Sequence, residues 1–434
     1  MKLRHISNMW KTLKMRINIG IFILLVIDSF LLSNLPEKNI WHDNSSEFRI
    51  LLKIRNNIYK RDNWIIEVPI SNELLKLNFS SLKIYEIGKK ENLMYQLEKI
   101  ENNTILYFII NGTMRSNQEK RFYIYFSNES TPIFNTDILT NKIGDKLILN
   151  NSRLSMMLEI VPNCIFCDDN KKFEQRLNKN GVIKSLIFKE LNTEFIGNIY
   201  NSNIGFRWHI FPCSVICWKE QQWAWNLINI DVLKGPIKTT IIETYLKNES
   251  GSLYKNSTYT SIKIEPPIKI QVSISLYSDK SFFDWGITVK SNEKNAFPGI
   301  PIEEDLSKLD FDRQYFSGIV SVPENCVEKY CTITYGNDDS GGKKPRNNVW
   351  FHDFYSIEKK IGIASFLLEP IDNCISGIIL KGNACRAWQC NSTEVHQVFR
   401  IYIHKGDYKE ALLNYYASNN PPEVQFGNLE RRVK

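Results

Sequence analysis

The chain has 434 residues, 43% of them hydrophobic and 12% aromatic, enough apolar material for a sizeable core and enough length for two domains. That composition, without low-complexity runs, argues against global disorder. The formal charge is +8, but the cations are scattered and form no basic stripe, so a nucleic-acid partner is not expected.

Lys2, Arg4, Lys11, Lys14 and Arg16 form a basic arm, followed at residues 17–35 by the apolar run INIGIFILLVIDSFLLSNL. Its length falls between a signal h-region and a full membrane span. The positive-inside rule puts the arm in the cytoplasm and the chain after Pro36 outside. The missing small-x-small cleavage pattern favours a signal anchor, and Asp28 favours a cleaved signal; both stay open. Residues 1–36 are thus expected to be a targeting segment, with a cell-surface or secreted ectodomain and the membrane as a partner.

Nine N-x-Ser/Thr acceptors follow the apolar run, at Asn44, Asn78, Asn102, Asn111, Asn128, Asn150, Asn248, Asn256 and Asn391. The nine cysteines also lie beyond it, which in an oxidising compartment makes them disulfide candidates with one left over. Close spacing singles out Cys326–Cys331 and Cys385–Cys390 as local bridges. Cys164, Cys167, Cys213 and Cys217 could alternatively hold zinc, or stay buried as thiols. No cofactor or resident metal is expected.

In chain order, residues 64–70 (WIIEVPI), 82–87, 93–97, 105–110 and 121–126 (RFYIYF) read as short strands between polar turns, a small β-sandwich over 37–145. The polar residues 141–145 mark its junction with a second unit over 146–434. Strands are expected there at 239–246, 260–264, 268–276, 285–289, 361–368 and 398–404. One helix is expected over 408–418, N-capped by Asp407 and stopped by Asn419-Asn420-Pro421-Pro422. Many strands without βαβ alternation indicate a mainly β fold, a large antiparallel sandwich.

Residues 399–422 (FRIYIHKGDYKEALLNYYASNNPP) resemble the closing segment of the C-terminal β-sandwich of family 38 α-mannosidases, with its His-x-Gly-Asp turn and Asn-x-Pro stop. Residues 233–246 (LKGPIKTTIIETYL) resemble the central strand of the same galactose-mutarotase-like supersandwich. The first unit is similar to the small β-domain preceding such supersandwiches in rhamnogalacturonan-lyase-like proteins. The resemblance implies a carbohydrate-related scaffold. It covers about a fifth of the chain and carries over no catalytic residue, because the chain has no room for the mannosidase barrel or the lyase toroid.

Glycan sites combine aromatic faces with polar groups that orient hydroxyls. Residues 205–225 (GFRWHIFPCSVICWKEQQWAW) hold four of the ten tryptophans. Arg207 and His209 share one strand face there, and Trp218, Trp223 and Trp225 are candidate sugar platforms. Near the end, His396, Arg400, Tyr402 and His404 alternate with Phe399, Ile401 and Ile403, the pattern of a strand whose polar face lines a groove or meets solvent. Arg207 and Arg400 are therefore candidate binding residues, and His209, Tyr402 and His404 candidate catalytic ones. The expected function is an exported glycan-binding or carbohydrate-active ectodomain, with lyase or epimerase chemistry if it turns over. The alternative is a structural cell-surface glycoprotein on the same scaffold.

Overall fold

The computed structural model describes residues 41–432 except 78, 101–102, 131, 160–181, 197–206, 209–225, 248–250, 256–257, 263–267, 291–301, 305–312, 319–348, 369–373, 381–383 and 391–393. Residues 1–36, expected to be a targeting segment, and six of the nine cysteines lie outside the described residues. Among the described residues no helix is long and apolar enough to cross a membrane.

The chain is mainly β, and the strand pairings among the described residues are antiparallel. The first sandwich contains β1 (Phe48–Arg55), β2 (Arg61–Ile70), a one-turn α1 (Asn72–Leu75), β3 (Ser81–Glu86), β4 (Tyr95–Ile100), β5 (Asn103–Met114) and β6 (Glu119–Ser127). Alternation directs one face of each strand inward. Ile66, Val68 and Ile70 of β2 meet Leu106, Phe108 and Ile110 of β5, across from Leu52, Ile54, Phe122 and Ile124.

The second unit opens with β7 (Leu139–Ile143), β8 (Lys146–Asn150), β9 (Leu154–Glu159), β10 (Val182–Phe188) and β11 (Thr193–Glu194), one five-stranded sheet. Next come β12 (Arg207–Trp208), β13 (Asn226–Leu233), β14 (Lys238–Lys247), β15 (Gly251–Lys255), β16 (Thr258–Ile262), β17 (Ile268–Tyr277), β18 (Phe282–Lys290) and β19 (Ile302–Glu304). The chain continues through β20 (Arg313–Gly318), β21 (Val349–Ser356), β22 (Ile361–Leu368), β23 (Cys374–Leu380), β24 (Ala384–Cys390) and β25 (Glu394–Lys405). It closes with α2 (Tyr408–Asn419) and β26 (Glu423–Arg431). An eight-stranded sheet in the order β13-β14-β17-β18-β25-β22-β21-β20 forms the centre. Its inner face, with Ile241, Ile274, Trp285, Phe399, Ile401 and Ile403, packs on Leu149, Met156, Leu158 and Leu186 of the five-stranded sheet.

Two boundaries differ from the sequence expectation. Residues 141–145 are the turn of the β7–β8 hairpin, where Gly144 takes φ +60 and Ile143 pairs with Lys146. Ile138 already belongs to the second core, so the passage between sandwiches lies before it. The chain also does not end in the second unit. Strand β26 returns to pair with β1, and Arg49 binds Glu430 across that pairing at 2.7 Å.

Helix α2 starts as expected: the Asp407 carboxylate accepts a hydrogen bond from the Lys409 amide at 2.8 Å. The preceding Gly406 takes φ +87, a left-handed conformation that a side chain would resist. At the other end, the buried Arg61 of β2 donates to the carbonyls of Ala417, at 2.9 Å, and Asn420. The first sandwich thereby supplies the positive charge that a helix C-terminus favours.

Strand β24 revises one expected disulfide. Cys385 and Cys390 sit five residues apart on one extended strand, about 16 Å at the usual rise, whereas a bridge needs Cα atoms within about 7 Å. Cys374 instead faces Cys390 directly in the β23–β24 register. Under oxidising conditions, non-reduced peptide mapping should therefore find a Cys374–Cys390 cross-link and none between Cys385 and Cys390.

The central sheet also buries one acid in its core. Glu243 lies 1% exposed, beside Ile230 and Val272 in the strand register. Tyr245 donates to its Oε2 at 2.6 Å, and Oε1 has no partner. Burial pushes this carboxyl from 4.5 up to about 7. Between those values the folded state holds a proton that the unfolded chain has lost, so stability falls as pH rises through the window. The full effect is about 3 kcal/mol. Urea midpoints measured between pH 4.5 and 7.5 should decline in the wild type, and Glu243→Gln should flatten the slope.

Candidate functional site

Alternation that fills one core from β25 turns Arg400, Tyr402 and His404 onto the outer face of the central sheet. Tyr277, Phe282 and Asp284 share that face, because their alternates Leu276, Phe283 and Trp285 enter the core. The face is covered. Helix α2 lays Ala411 against it, and β2 contributes Ile65 from the side of its strand opposite the first core.

Polar groups line this junction. Arg400 donates from Nε and Nη2 to both oxygens of Asp284, at 2.7 and 2.8 Å, and from Nη1 to Ser418 of α2 at 3.1 Å. Its guanidinium lies 4.0 Å above the Phe282 ring. Burial acts to lower the Arg400 pKa, but Asp284 outweighs it and raises it. Tyr277 donates to Asp284 Oδ2 at 2.7 Å, and burial with that carboxylate raises its phenol. At the neighbouring edge, Lys238 pairs with Glu98 at 2.7 Å and donates to Tyr107 at 3.0 Å, which joins β14 to β4 and β5. Gln96 Oε1 also accepts from the Ile237 and Lys238 amides, and Gly235 leaves the space that this side chain occupies.

His404 is fully buried, and its Nε2 shares a hydrogen bond with Asp353 Oδ1 at 2.8 Å. Tyr355 and Tyr402 both stack against it, and a Cβ on Gly362 would lie 2.3 Å from its Nε2. Burial raises the Asp353 carboxyl, with His404 opposing. Tyr402 donates to Glu410 Oε1 at 2.8 Å; burial and that carboxylate raise its phenol, so it stays protonated at neutral pH.

Beside this network opens a cleft of about 790 Å³ between β2, the β17–β18 turn, the end of β25 and α2. Its rim charges are mostly paired: Lys60 with Asp62, Arg153 with Asp279, and Glu190 with Lys405. Two are not. Lys280 gives its ammonium to the Asn63 carbonyl at 2.6 Å, and burial lowers its pKa. Glu67 keeps its side chain accessible and has no hydrogen-bond or ion-pair partner among the described residues. Desolvation raises its carboxyl above the ordinary value.

Of the residues singled out from sequence, Arg400, Tyr402 and His404 lie on the face of β25 opposite the apolar core. The polar end of each of the three is committed to a carboxylate inside the protein, while the edge of the face, with Phe282, Arg400 and Tyr402, borders the cleft. Arg207 lies on β12, whose partner β19 belongs to a different sheet, in the order β12-β19-β24-β23. His209, Trp218, Trp223 and Trp225 lie outside the described residues. Sequence reasoning did not single out Glu67, Lys280, Asp284 or Glu98. The signal that could have found Glu67 is parity: it alternates with Ile66 and Val68 in WIIEVPI and must face away from their core.

Replacing Arg400 therefore disturbs folding before it tests binding. Asp284→Ala or Arg400→Ala leaves a buried charge uncompensated and should cost about 3–5 kcal/mol, read as a drop in the urea midpoint.

No family model and no curated protein sequence matches the chain. Among solved structures it is similar to an α-mannosidase from Enterococcus faecalis V583, with TM-score 0.55 and 9% identity, over 94% of this chain and 49% of that one. A glycosyl hydrolase family 38 protein from Enterococcus faecalis gives TM-score 0.53 and 9% identity, over 88% of this chain and 47% of that one. A galactose mutarotase related enzyme from Lactobacillus acidophilus covers 60% of this chain and 98% of its own at TM-score 0.36 and 11% identity. The chain spans about half the length of the first two structures. At these identities the likeness speaks for the fold: the chain shares the β-sandwich architecture of the family 38 proteins, as the sequence resemblance implied.

Proposed function

We propose that this chain is an exported carbohydrate-binding protein whose ligand enters the cleft between the two sandwiches. One observation carries the reading: a concavity of about 790 Å³ lies where two rigid sheets and α2 converge, and it is walled by both aromatic and charged side chains. Phe282 and Tyr402 offer ring surface there, and Glu67 and Lys280 offer an acceptor and a donor. The likeness to an α-mannosidase and a family 38 glycosyl hydrolase supports a sugar ligand by analogy of fold. Binding is favoured over turnover, because Arg400, Tyr402 and His404 are engaged within the protein.

Export is supported by the basic arm and apolar run, and by exposed acceptor asparagines at 44, 111 and 128. The second reading, a structural cell-surface glycoprotein, is favoured by the same engaged side chains. A glycan array probed with the full chain separates the two. Binding to a defined set of glycans is expected, weakened by the cleft-wall substitution Phe282→Ala in a protein that still melts cooperatively. A folded protein that binds nothing on the array would leave the structural reading.

A further inference from the structure

We propose that Glu67 and Lys280 are the specificity-determining residues of the cleft, and that they select an uncharged sugar by each holding hydroxyls of it, one as acceptor and one as donor. The inference rests on the carbohydrate reading and narrows its ligand class.

The argument is one of unpaired charge. The other carboxylates of the cleft wall are each held: Asp62 by Lys60, Asp279 by Arg153, Glu190 by Lys405 and Glu410 by the Tyr402 hydroxyl. Arg400 is held by Asp284, and Arg61 donates to carbonyls and amide oxygens of its own neighbourhood. Glu67 has no such partner, and Lys280 has a single carbonyl. An accessible carboxylate without a protein partner is met by water, which a ligand hydroxyl can replace as donor.

These two leftover charges have opposite sign, so an ionic ligand would satisfy one and confront the other. An ammonium sugar would meet Lys280, and a uronate would meet Glu67. A neutral polyol satisfies both, donating hydroxyl protons to Glu67 and accepting from Lys280. The groups facing Glu67 fit this. Lys238 and Arg400 attract its charge, Glu98 and Asp284 oppose it, and each cation is already matched to one of those acids. Tyr107 and Tyr277 face it as phenols whose pKa is raised by burial first and by nearby carboxylates second. The field around Glu67 is therefore nearly balanced, and the side chain remains an acceptor available to the cleft. Its position on a strand paired directly with β5 at Tyr107 fixes where that acceptor points.

The test titrates the full chain with the methyl glycosides of glucose, galactose and mannose, with methyl glucosaminide and methyl galacturonide as the charged arms. At least one neutral glycoside should bind more tightly than both charged ones. Glu67→Gln and Lys280→Met should each weaken it by about ten- to a hundredfold. Glu67→Gln should leave the melting temperature unchanged or raised, since it breaks no contact. Wild-type affinity should fall as pH is lowered and the Glu67 carboxyl, whose pKa desolvation raises, gains a proton and loses an acceptor, and Glu67→Gln should remove that slope. Preference for either charged sugar would overturn the proposal, as would neutral binding untouched by both substitutions or strengthened by acid. If neither the glycosides nor the array give any binding, the carbohydrate reading itself fails. If sugars bind and Phe282→Ala weakens them while both charge variants behave as wild type, that reading stands and only the Glu67–Lys280 assignment falls.

Discussion

The guanidinium of Arg400, gripped through two nitrogens by Asp284, is the constraint around which the two sandwiches are arranged. Both residues project from the outer face of the central sheet, and neither charge tolerates an apolar cover. Whatever packs on that face must bring polar groups of its own. Helix α2 brings Ser418 and Glu410, and the three-stranded sheet of the first sandwich brings Glu98, Tyr107 and Glu67. Tertiary contact here is a matching of hydrogen bonds rather than a merging of cores. The first core and the core of the central sheet accordingly form separate clusters, with the smaller Tyr277–Phe366–Tyr402 cluster on the outer face of that sheet.

A polar junction of this kind closes less completely than an apolar one. Buried ions and phenols accept few orientations, so surfaces meet where pairs form and separate where they do not. The cleft occupies such a separation. Its walls are strands and one capped helix, and Arg61 ties the helix terminus back to β2. Side chains on such elements are held in position before a ligand arrives, which lowers the entropic cost of recognition. The His404–Asp353 pair serves the same rigidity. It fills the space left by Gly362 against two tyrosines, and an imidazole so enclosed positions Tyr402 without reaching the cleft as a free base.

Several strands of each sandwich, among them β2, β5, β6, β14, β17, β18, β22 and β25, helix α2 with its Asp407 cap and Gly406 turn, and the two-faced character of β25 were legible in the sequence. Each follows from local chemistry: period-2 alternation, a side chain able to cap an amide, and a backbone angle that glycine tolerates. Strand β26 was not legible. Its residues are mostly exposed and polar, and it is a strand because β1 offers an unpaired edge brought near by the fold. Likewise, nothing local distinguishes the hairpin turn at 144–145 from a domain junction, since both ask for glycine and polar residues.

Parity alone determined that Arg400, Tyr402 and His404 point away from Phe399, Ile401 and Ile403. It could not determine what lies on the other side, because that depends on residues over a hundred positions away: Asp284 for Arg400, and Glu67 and Glu98 from a different sandwich. The same holds for charge. A sequence counts Glu67 and Lys280 among many acids and bases, and only the packing of three elements shows which of them have spent their charge on a neighbour. Local residue chemistry chose the strands and their faces; long-range pairing of buried charge decided which face became a junction, and which polar groups were left over to meet a ligand.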